Sequence, residues 1–245
     1  MKTFVQRCWR FSLQAGIFFI LFSIVLVVAL RWLPVSYTPL MFIRCVQTKG
    51  DKKMKIEHEW TAESEIPNGL QLAVVSCEDQ RFLTHHGFDF KEIEKAMAES
   101  EKGERNRGAS TISQQTAKNV FLWPSSTYVR KGFEAWFTVL IEVFWSKKHI
   151  LNVYLNSIEF GDGIYGCEAA AQHFFHKPAS KLTRDEAARL AVVLPNPIRF
   201  NAGKPTTHLT QRKEWALRQM ANQGNVLLFP GEEPALKKAK AKKKK

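Results

Sequence analysis

The chain has 245 residues, 45% hydrophobic and 12% aromatic, which excludes bulk disorder and leaves room for one sizeable domain plus an anchor, not two full domains. Its formal net charge is +13, but seven lysines fall within 237–245, so the rest of the chain carries only +6. Such a basic body suits nucleic acid, phospholipid headgroups or a phosphate-bearing substrate, and charge alone does not choose among them.

Residues 1–10 carry Lys2, Arg7 and Arg10, and an uncharged run follows from Phe11 to Leu30. These 20 positions, dominated by Ile, Leu, Val, Phe and Ala, match a helix crossing a bilayer core of ~30 Å. The leading cations predict a cytoplasmic N-terminus, and Trp9 and Trp32 stand where interfacial aromatics belong. A cleaved signal peptide is the competing reading, but its apolar stretch is usually about 7–15 residues and ends in a small-x-small site. Here the run enters Arg31-Trp32-Leu33-Pro34, so 11–33 is read as an uncleaved transmembrane helix with the remainder on the far side. Residues 34–65 form a membrane-proximal connector, in which Leu40-Met41-Phe42-Ile43 is an apolar patch for the bilayer surface.

From 66 to 230 the periodicity is mostly helical. Asp89 is placed to cap a helix through Glu99. A second helix begins near Ser110 and runs to about Leu122. The longest starts near Thr127, with Phe133, Trp136, Phe137, Leu140, Ile141 and Phe144 recurring at three and four residues. The pattern resumes after Ser146. Thr183 and Glu186 make a capping box for a helix that Pro195 and Pro197 end, and a last helix covers about 207–223. Strand signals are scarce, so the fold class is mainly α. Residues 231–245 form a lysine-rich tail, read first as a solvated end and second as a lipid-headgroup contact. Cys8, Cys45, Cys77 and Cys167 lack metal or redox spacing. A Cys45–Cys167 pair is conceivable, and free buried thiols are the preferred reading.

Four polar clusters resist reading as ordinary surface. Glu78-Asp79-Gln80-Arg81-Phe82-Leu83-Thr84-His85-His86-Gly87 follows the apolar Leu72-Ala73-Val74-Val75. A carboxylate at the edge of a core can have its pKa raised to a value useful for proton transfer. The bland alternative is a helix end closed by Gly87, with Glu78 paired to Arg81. The second cluster runs from Arg107-Gly108-Ala109-Ser110-Thr111 to Gln114-Gln115-Thr116-Ala117-Lys118-Asn119. Its start is a helix N-terminus whose N–H groups can meet an anion, and Ser110, Gln114 and Lys118 recur every four residues. The alternative is a solvated face. In the third, Arg130 and Glu134 are i,i+4 neighbours, which alone is a common ion pair. In the fourth, Lys147 to Asn156, the apolar positions read as core. Gly161-Asp162-Gly163-Ile164-Tyr165-Gly166 matches a dinucleotide fingerprint, but without the strand–helix alternation that fold needs it reads as a flexible loop.

Together the clusters resemble the family-51 glycosyltransferases, which polymerise peptidoglycan, and most closely their monofunctional branch. The first family motif, E-D-x-x-F-x-x-H-x-G, is met by Glu78, Asp79, Phe82, His85 and Gly87. The second, G-x-S-T-x-x-Q-Q, is met by Gly108, Ser110, Thr111, Gln114 and Gln115. The third, R-K-x-x-E, is met by Arg130, Lys131 and Glu134. The fourth is met by Lys147, Ile150, Leu151, Tyr154, Leu155 and Asn156, with Asn152 where Glu is frequent; Arg189 and Leu194-Pro195-Asn196-Pro197 resemble the fifth.

The resemblance implies a lysozyme-like glycosyltransferase domain with a smaller membrane-facing lobe, seated in the bacterial cytoplasmic (inner) membrane with its catalytic part periplasmic. It implies transfer of a growing lipid-linked glycan onto the 4-hydroxyl of lipid II with inversion, releasing undecaprenyl diphosphate. Glu78 and Glu134 are the implied catalytic residues. Asp79, Ser110, Thr111, Gln114, Gln115, Lys118, Arg130 and Lys131 are implied to bind substrate, with Lys118 and Arg130 clamping the diphosphate. The two carboxylates are expected farther apart than the ~5 Å of retaining enzymes. A divalent ion, Mg2+ or Mn2+, near Glu134 is an open option. Implied partners are lipid II, membrane lipid and other cell-wall synthesis proteins, not nucleic acid. A wall-cleaving lytic enzyme and a non-catalytic scaffold are the rival readings. The first needs no diphosphate clamp, and the second would keep aromatics but lose the acidic residues. No Ser-x-x-Lys occurs, which speaks against a transpeptidase activity.

Overall fold

The computed structural model describes residues 2–47, 56–103, 108–224 and 228–229. Arg107 and the tail 231–245 lie outside them. The described residues are built mainly of helices: α1 (Lys2–Ala29), α2 (Pro39–Gln47), α3 (Asn68–Glu78), α4 (Phe90–Glu101), α5 (Ile112–Phe121), α6 (Tyr128–Phe144), α7 (Lys147–Ser157), α8 (Cys167–Phe175), α9 (Arg184–Val193) and α10 (Thr207–Asn222). Three short strands join them: β1 (Glu57–His58), β2 (Glu159–Gly161) and β3 (Ile164–Tyr165), with β3 central, parallel to β1 and antiparallel to β2.

Helix starts follow side-chain caps. Asp89, Thr111, Thr127, Ser146, Thr183 and Thr206 each accept from a backbone N–H in the first turn of the helix they precede, satisfying donors that have no partner within the helix. Thr111–Gln114 and Thr183–Glu186 are full capping boxes. The expected helix starts near Asp89, Thr127, Ser146, Thr183 and 207 coincide with these caps.

Two packed groups of helices surround one core. In one, α3 packs against α9 and α10; in the other, α5 packs against α6 and α7. Ile150, Val153, Tyr154 and Leu155 of α7 are all fully buried, the central position that the apolar fourth cluster demands. The connector is tied to α7 by Asn156, which accepts from the Thr61 N–H at 2.7 Å and donates to the Thr61 carbonyl at 3.1 Å.

The N-terminal helix is apolar and long enough to cross a membrane over Phe4–Ala29. It ends four residues before the expected bound, because Leu30 to Leu33 close a turn rather than continue it. Its last turns join the domain core: Val27 is fully buried, its carbonyl accepts from Trp145 Nε1 at 2.8 Å, and Ser23 Oγ accepts from Trp136 Nε1 at 3.0 Å. Phe19 sits edge-on to Phe133 and Phe137 of α6. Anchor and domain are therefore packed directly on each other.

Two expectations change. The segment 161–166, read as a flexible loop, belongs to a hairpin with buried strands: β2 and β3 pair through a tight turn at Gly163 (φ 74°). Apolar Phe160, Ile164 and Tyr165 beside the glycines, all 5% exposed or less, supply strand character that the glycine pattern masks. The patch at 40–43 also splits. Leu40 and Met41 turn inward onto Tyr165, and Phe42 stays 54% exposed, because a helix sends neighbouring side chains to different faces. The four cysteines are free thiols.

Candidate active site

Glu78 is the last residue of α3, at the point where the apolar run Leu72–Val75 leaves the core. It does not pair with Arg81, which bonds Asp89 at 2.7 Å; the bland reading of the first cluster fails here. Gln115 Nε2 instead donates to Glu78 Oε2 at 3.0 Å, and Gln115 Oε1 accepts from the Tyr154 hydroxyl at 3.1 Å. Tyr154 is fully buried, so this chain of bonds fixes the carboxylate from the interior outward. Burial pushes the Glu78 carboxyl above the ordinary range; the Gln115 bond and the cations Arg212 and Lys118 pull it back, and Asp79 adds to the rise.

Asp79 turns the other way. It is 7% exposed; its Oδ2 accepts from the Ile112 N–H at 3.0 Å, and His85 Nε2 lies 3.0 Å from both of its oxygens. Thr111 N donates to Gln114 Oε1 at 3.0 Å, and Thr111 Oγ1 to the Gly87 carbonyl at 2.7 Å. The first N–H groups of α5, expected to be open to an external anion, are thus engaged by the protein's own side chains, with Asp79 at the positive end of the helix. Asp79, Thr111 and Gln114 knit the first and second clusters together. Ser110 precedes the helix and is exposed, while Gln114 is buried. The four-residue stripe is therefore broken, and Gln115 and Lys118 are the α5 side chains that communicate with Glu78.

Ser110 and Glu78 share a surface cleft whose wall includes Gln80, Arg81, Glu92 and Trp215, and which Lys118, Arg130 and Lys131 do not line. Trp215 belongs to α10, as does Arg212, whose charge acts on Glu78. Sequence reasoning missed both. They sit three residues apart on one helix face, but no local pattern distinguishes that pair from a surface helix.

The cationic side lies on α5 and α6. Arg130 is 8% and Glu134 2% exposed. Arg130 Nη1 and Lys131 Nζ donate to separate oxygens of Glu134, leaving Arg130 Nε and, on α5, Asn119 Nδ2 as buried donors without a protein acceptor. Burial lowers the Lys118 pKa, Glu134 opposes this, and Arg130, Arg44 and Lys131 lower it further. Lys118 thus lies within the field of both carboxylates, Glu78 and Glu134. Each Glu134 oxygen is bound to a cation, and the described residues hold no group of three or more His, Cys, Asp or Glu suited to a metal. Behind the site, Glu142 accepts from Ser113 Oγ and, at 2.7 Å, from Lys147 Nζ. Lys147 also lies 4.6 Å from the Phe82 ring centroid. All four clusters therefore meet around α5.

A family model described as Transglycosylase matches residues 46–221. A biosynthetic peptidoglycan transglycosylase of Bacteroides thetaiotaomicron is 51% identical over 241 residues, covering 98% of this chain and 94% of the relative. Proteins of the same description from Caulobacter vibrioides (48% identical, 86% of this chain and 91% of the relative) and Shigella boydii (53%, 78% and 80%) agree. The chain belongs to the transglycosylase family and is a peptidoglycan glycosyltransferase.

Proposed function

We propose that the enzyme polymerises lipid II, transferring the growing lipid-linked glycan to the 4-hydroxyl of the incoming disaccharide with inversion and releasing undecaprenyl diphosphate. The observation that carries this reading is one carboxylate, Glu78, desolvated at the edge of a cleft and in the field of two half-buried cations, Lys118 and Arg212, the first of which also faces the Arg130–Glu134 pair. Glu78 takes the proton of the acceptor hydroxyl; a positioned base of this kind supplies about 10²–10⁴ in rate. Gln115 keeps its second oxygen oriented. Lys118, Arg130 and Lys131 meet the negative charge that develops on the departing diphosphate, preformed so that little reorganisation accompanies the step. The buried donor Arg130 Nε supports an anionic ligand at this end, since a buried N–H without an acceptor is costly.

Glu134, bound on both oxygens, holds the two cations in place. Ser110 serves the sugar end of the cleft, whereas Asp79, Thr111 and Gln114 act on substrate only through the positions they fix. The apolar helix spans the cytoplasmic membrane once, with Lys2, Arg7 and Arg10 inside and the domain periplasmic, beside the bilayer that retains the substrate's lipid tail. The word biosynthetic in the relatives' descriptions favours synthesis over a lytic reaction. Purified lipid II in detergent tests the proposal: Glu78→Gln should form no glycan while keeping its fold, and a variant that still elongates chains refutes the assignment of the base.

A further inference from the structure

The hairpin β2–β3 has no part in that chemistry, yet its strands are buried and carry two ionisable side chains, Glu159 and Tyr165, with the exposed Asp162 at the turn. Tyr165 is the seat for Leu40 and Met41 on the inner face of α2. Arg44 lies four residues after Leu40 and three after Met41, so it projects from that same side of the helix. Its Nη1 is 3.9 Å from Glu159 Oε2, while Glu159 Oε1 accepts from the Gly163 N–H at 3.3 Å. The turn glycine thus fixes the carboxylate that faces Arg44. Helix α2 also packs along α5, the helix bearing Lys118, and the Arg44 side chain remains 42% exposed.

We propose that Arg44 is a further binding residue for the diphosphate of the polyprenyl-linked substrate, delivered by α2 to the Lys118 side of the site and held there by Glu159. Several observations converge. Arg44 is among the charges that act on Lys118, so the two cations share one region. Arg130, Lys131 and Lys118 gather around Glu134, and Arg44 lies beside Glu159 while acting on Lys118. A basic surround of this kind suits the oxygens of a phosphate group. Arginine also presents a planar fork suited to phosphate oxygens. On the opposite side of α2, Phe42 and Val46 are 54% and 75% exposed and suit lipid, which places Arg44 on the protein side of the interface. The inference rests on the diphosphate clamp proposed above.

The shared chemistry is a phosphate group, from the substrate or from membrane headgroups, and the full-length enzyme distinguishes these sources. Lipid II polymerisation is measured for Arg44→Gln, Arg44→Lys and Glu159→Gln in neutral detergent and in nanodiscs of phosphatidylcholine or phosphatidylglycerol, alongside thermal melting. Arg44→Gln should lower kcat/KM about 10- to 150-fold in every medium, the size expected for one charge-assisted contact. Inhibition by added polyprenyl diphosphate should weaken by a similar factor, inhibition by polyprenyl monophosphate by less, and the melting temperature should not move. Arg44→Lys should recover part of the loss, and Glu159→Gln should reproduce a smaller version of it.

An effect confined to phosphatidylglycerol discs would assign Arg44 to membrane headgroups and overturn the proposal, as would equal weakening of both inhibitors. Lys118→Ala separates the two layers of the argument. If it is inactive while Arg44→Gln matches the wild type, only the Arg44 role fails; if it is fully active, the clamp fails and Arg44 with it.

Discussion

Asp79→Ala distinguishes a substrate contact from a structural pin. The carboxylate receives the Ile112 N–H and the His85 ring N–H, both at 3.0 Å, and both donors are buried, Ile112 at 0% and His85 at 7% exposure. Truncation strands two buried donors at about 1–3 kcal/mol each and removes the anion from the α5 N-terminus, for a total of about 3–5 kcal/mol. At about 2–4 °C per kcal/mol for a domain of this size, melting should fall by about 6–20 °C. The assay is circular dichroism melting of the full-length protein in detergent, with kcat and KM for lipid II measured well below the transition. Asp79→Asn keeps one acceptor and should fall between wild type and alanine. A melting point within about 2 °C of wild type, together with a raised KM, would refute the structural assignment and return Asp79 to the substrate.

Three further outcomes are expected. Because burial raises the Glu78 pKa, the folded state holds that proton more tightly than the unfolded chain, and stability is lost as pH rises from the ordinary glutamate range through the raised value. Glu78→Gln should therefore be inactive yet more stable than wild type at neutral pH, by about 0.5–2 kcal/mol in chemical denaturation; a destabilised variant would contradict this. Gln115→Leu removes a bond that lowers the Glu78 pKa, so the acid limb of kcat/KM against pH should move to higher pH, and a limb displaced the other way would count against Glu78 as the base. Gly166→Ala forces a side chain into a φ of 82° with its Cβ 2.8 Å from the Asn156 backbone carbonyl, and should cost about 2–4 kcal/mol in denaturation. Gly69→Ala, in open space, is the control and should cost nothing.

The helices were legible where a polar cap preceded a periodic run, because both signals are local: Asp89, Thr127, Ser146 and Thr183 mark their helices before any tertiary contact is known. The hairpin at 159–165 was not, because two- and three-residue strands are too short to show alternation and their pairing with β1 spans about a hundred positions of sequence. At the site, the chain order of the polar clusters pointed to Glu78, Lys118 and Arg130. It could not reveal that Gln114 faces inward while Gln115 faces Glu78, since two adjacent glutamines differ only by the 100° that one helical residue turns. Arg212 and Trp215 stayed hidden for a related reason. Their meaning comes from α10 lying against α3, a long-range contact that no local spacing encodes.

Adjacent carboxylates show how the fold divides labour. Glu78 and Asp79 share a sequence neighbourhood and nearly the same chemistry, yet α3 ends between them, so their side chains leave in different directions. Asp79 enters a nest of donors that complements an anion, a backbone N–H at a helix N-terminus and a histidine. Glu78 receives one amide, and burial disfavours its charge more than that bond and the more distant Arg212 and Lys118 favour it. A proton acceptor gains basicity from that poverty of donors, and a structural pin gains strength from their abundance. The position of α5 sets both conditions at once: its first turn takes Asp79, its next presents Gln115 to Glu78, and one turn later comes Lys118. A substitution that shifts α5 must then disturb the proposed base, its orienting amide and the cation together, so losses at Thr111 and Lys147 should appear in catalysis even though neither residue needs to touch the sugar.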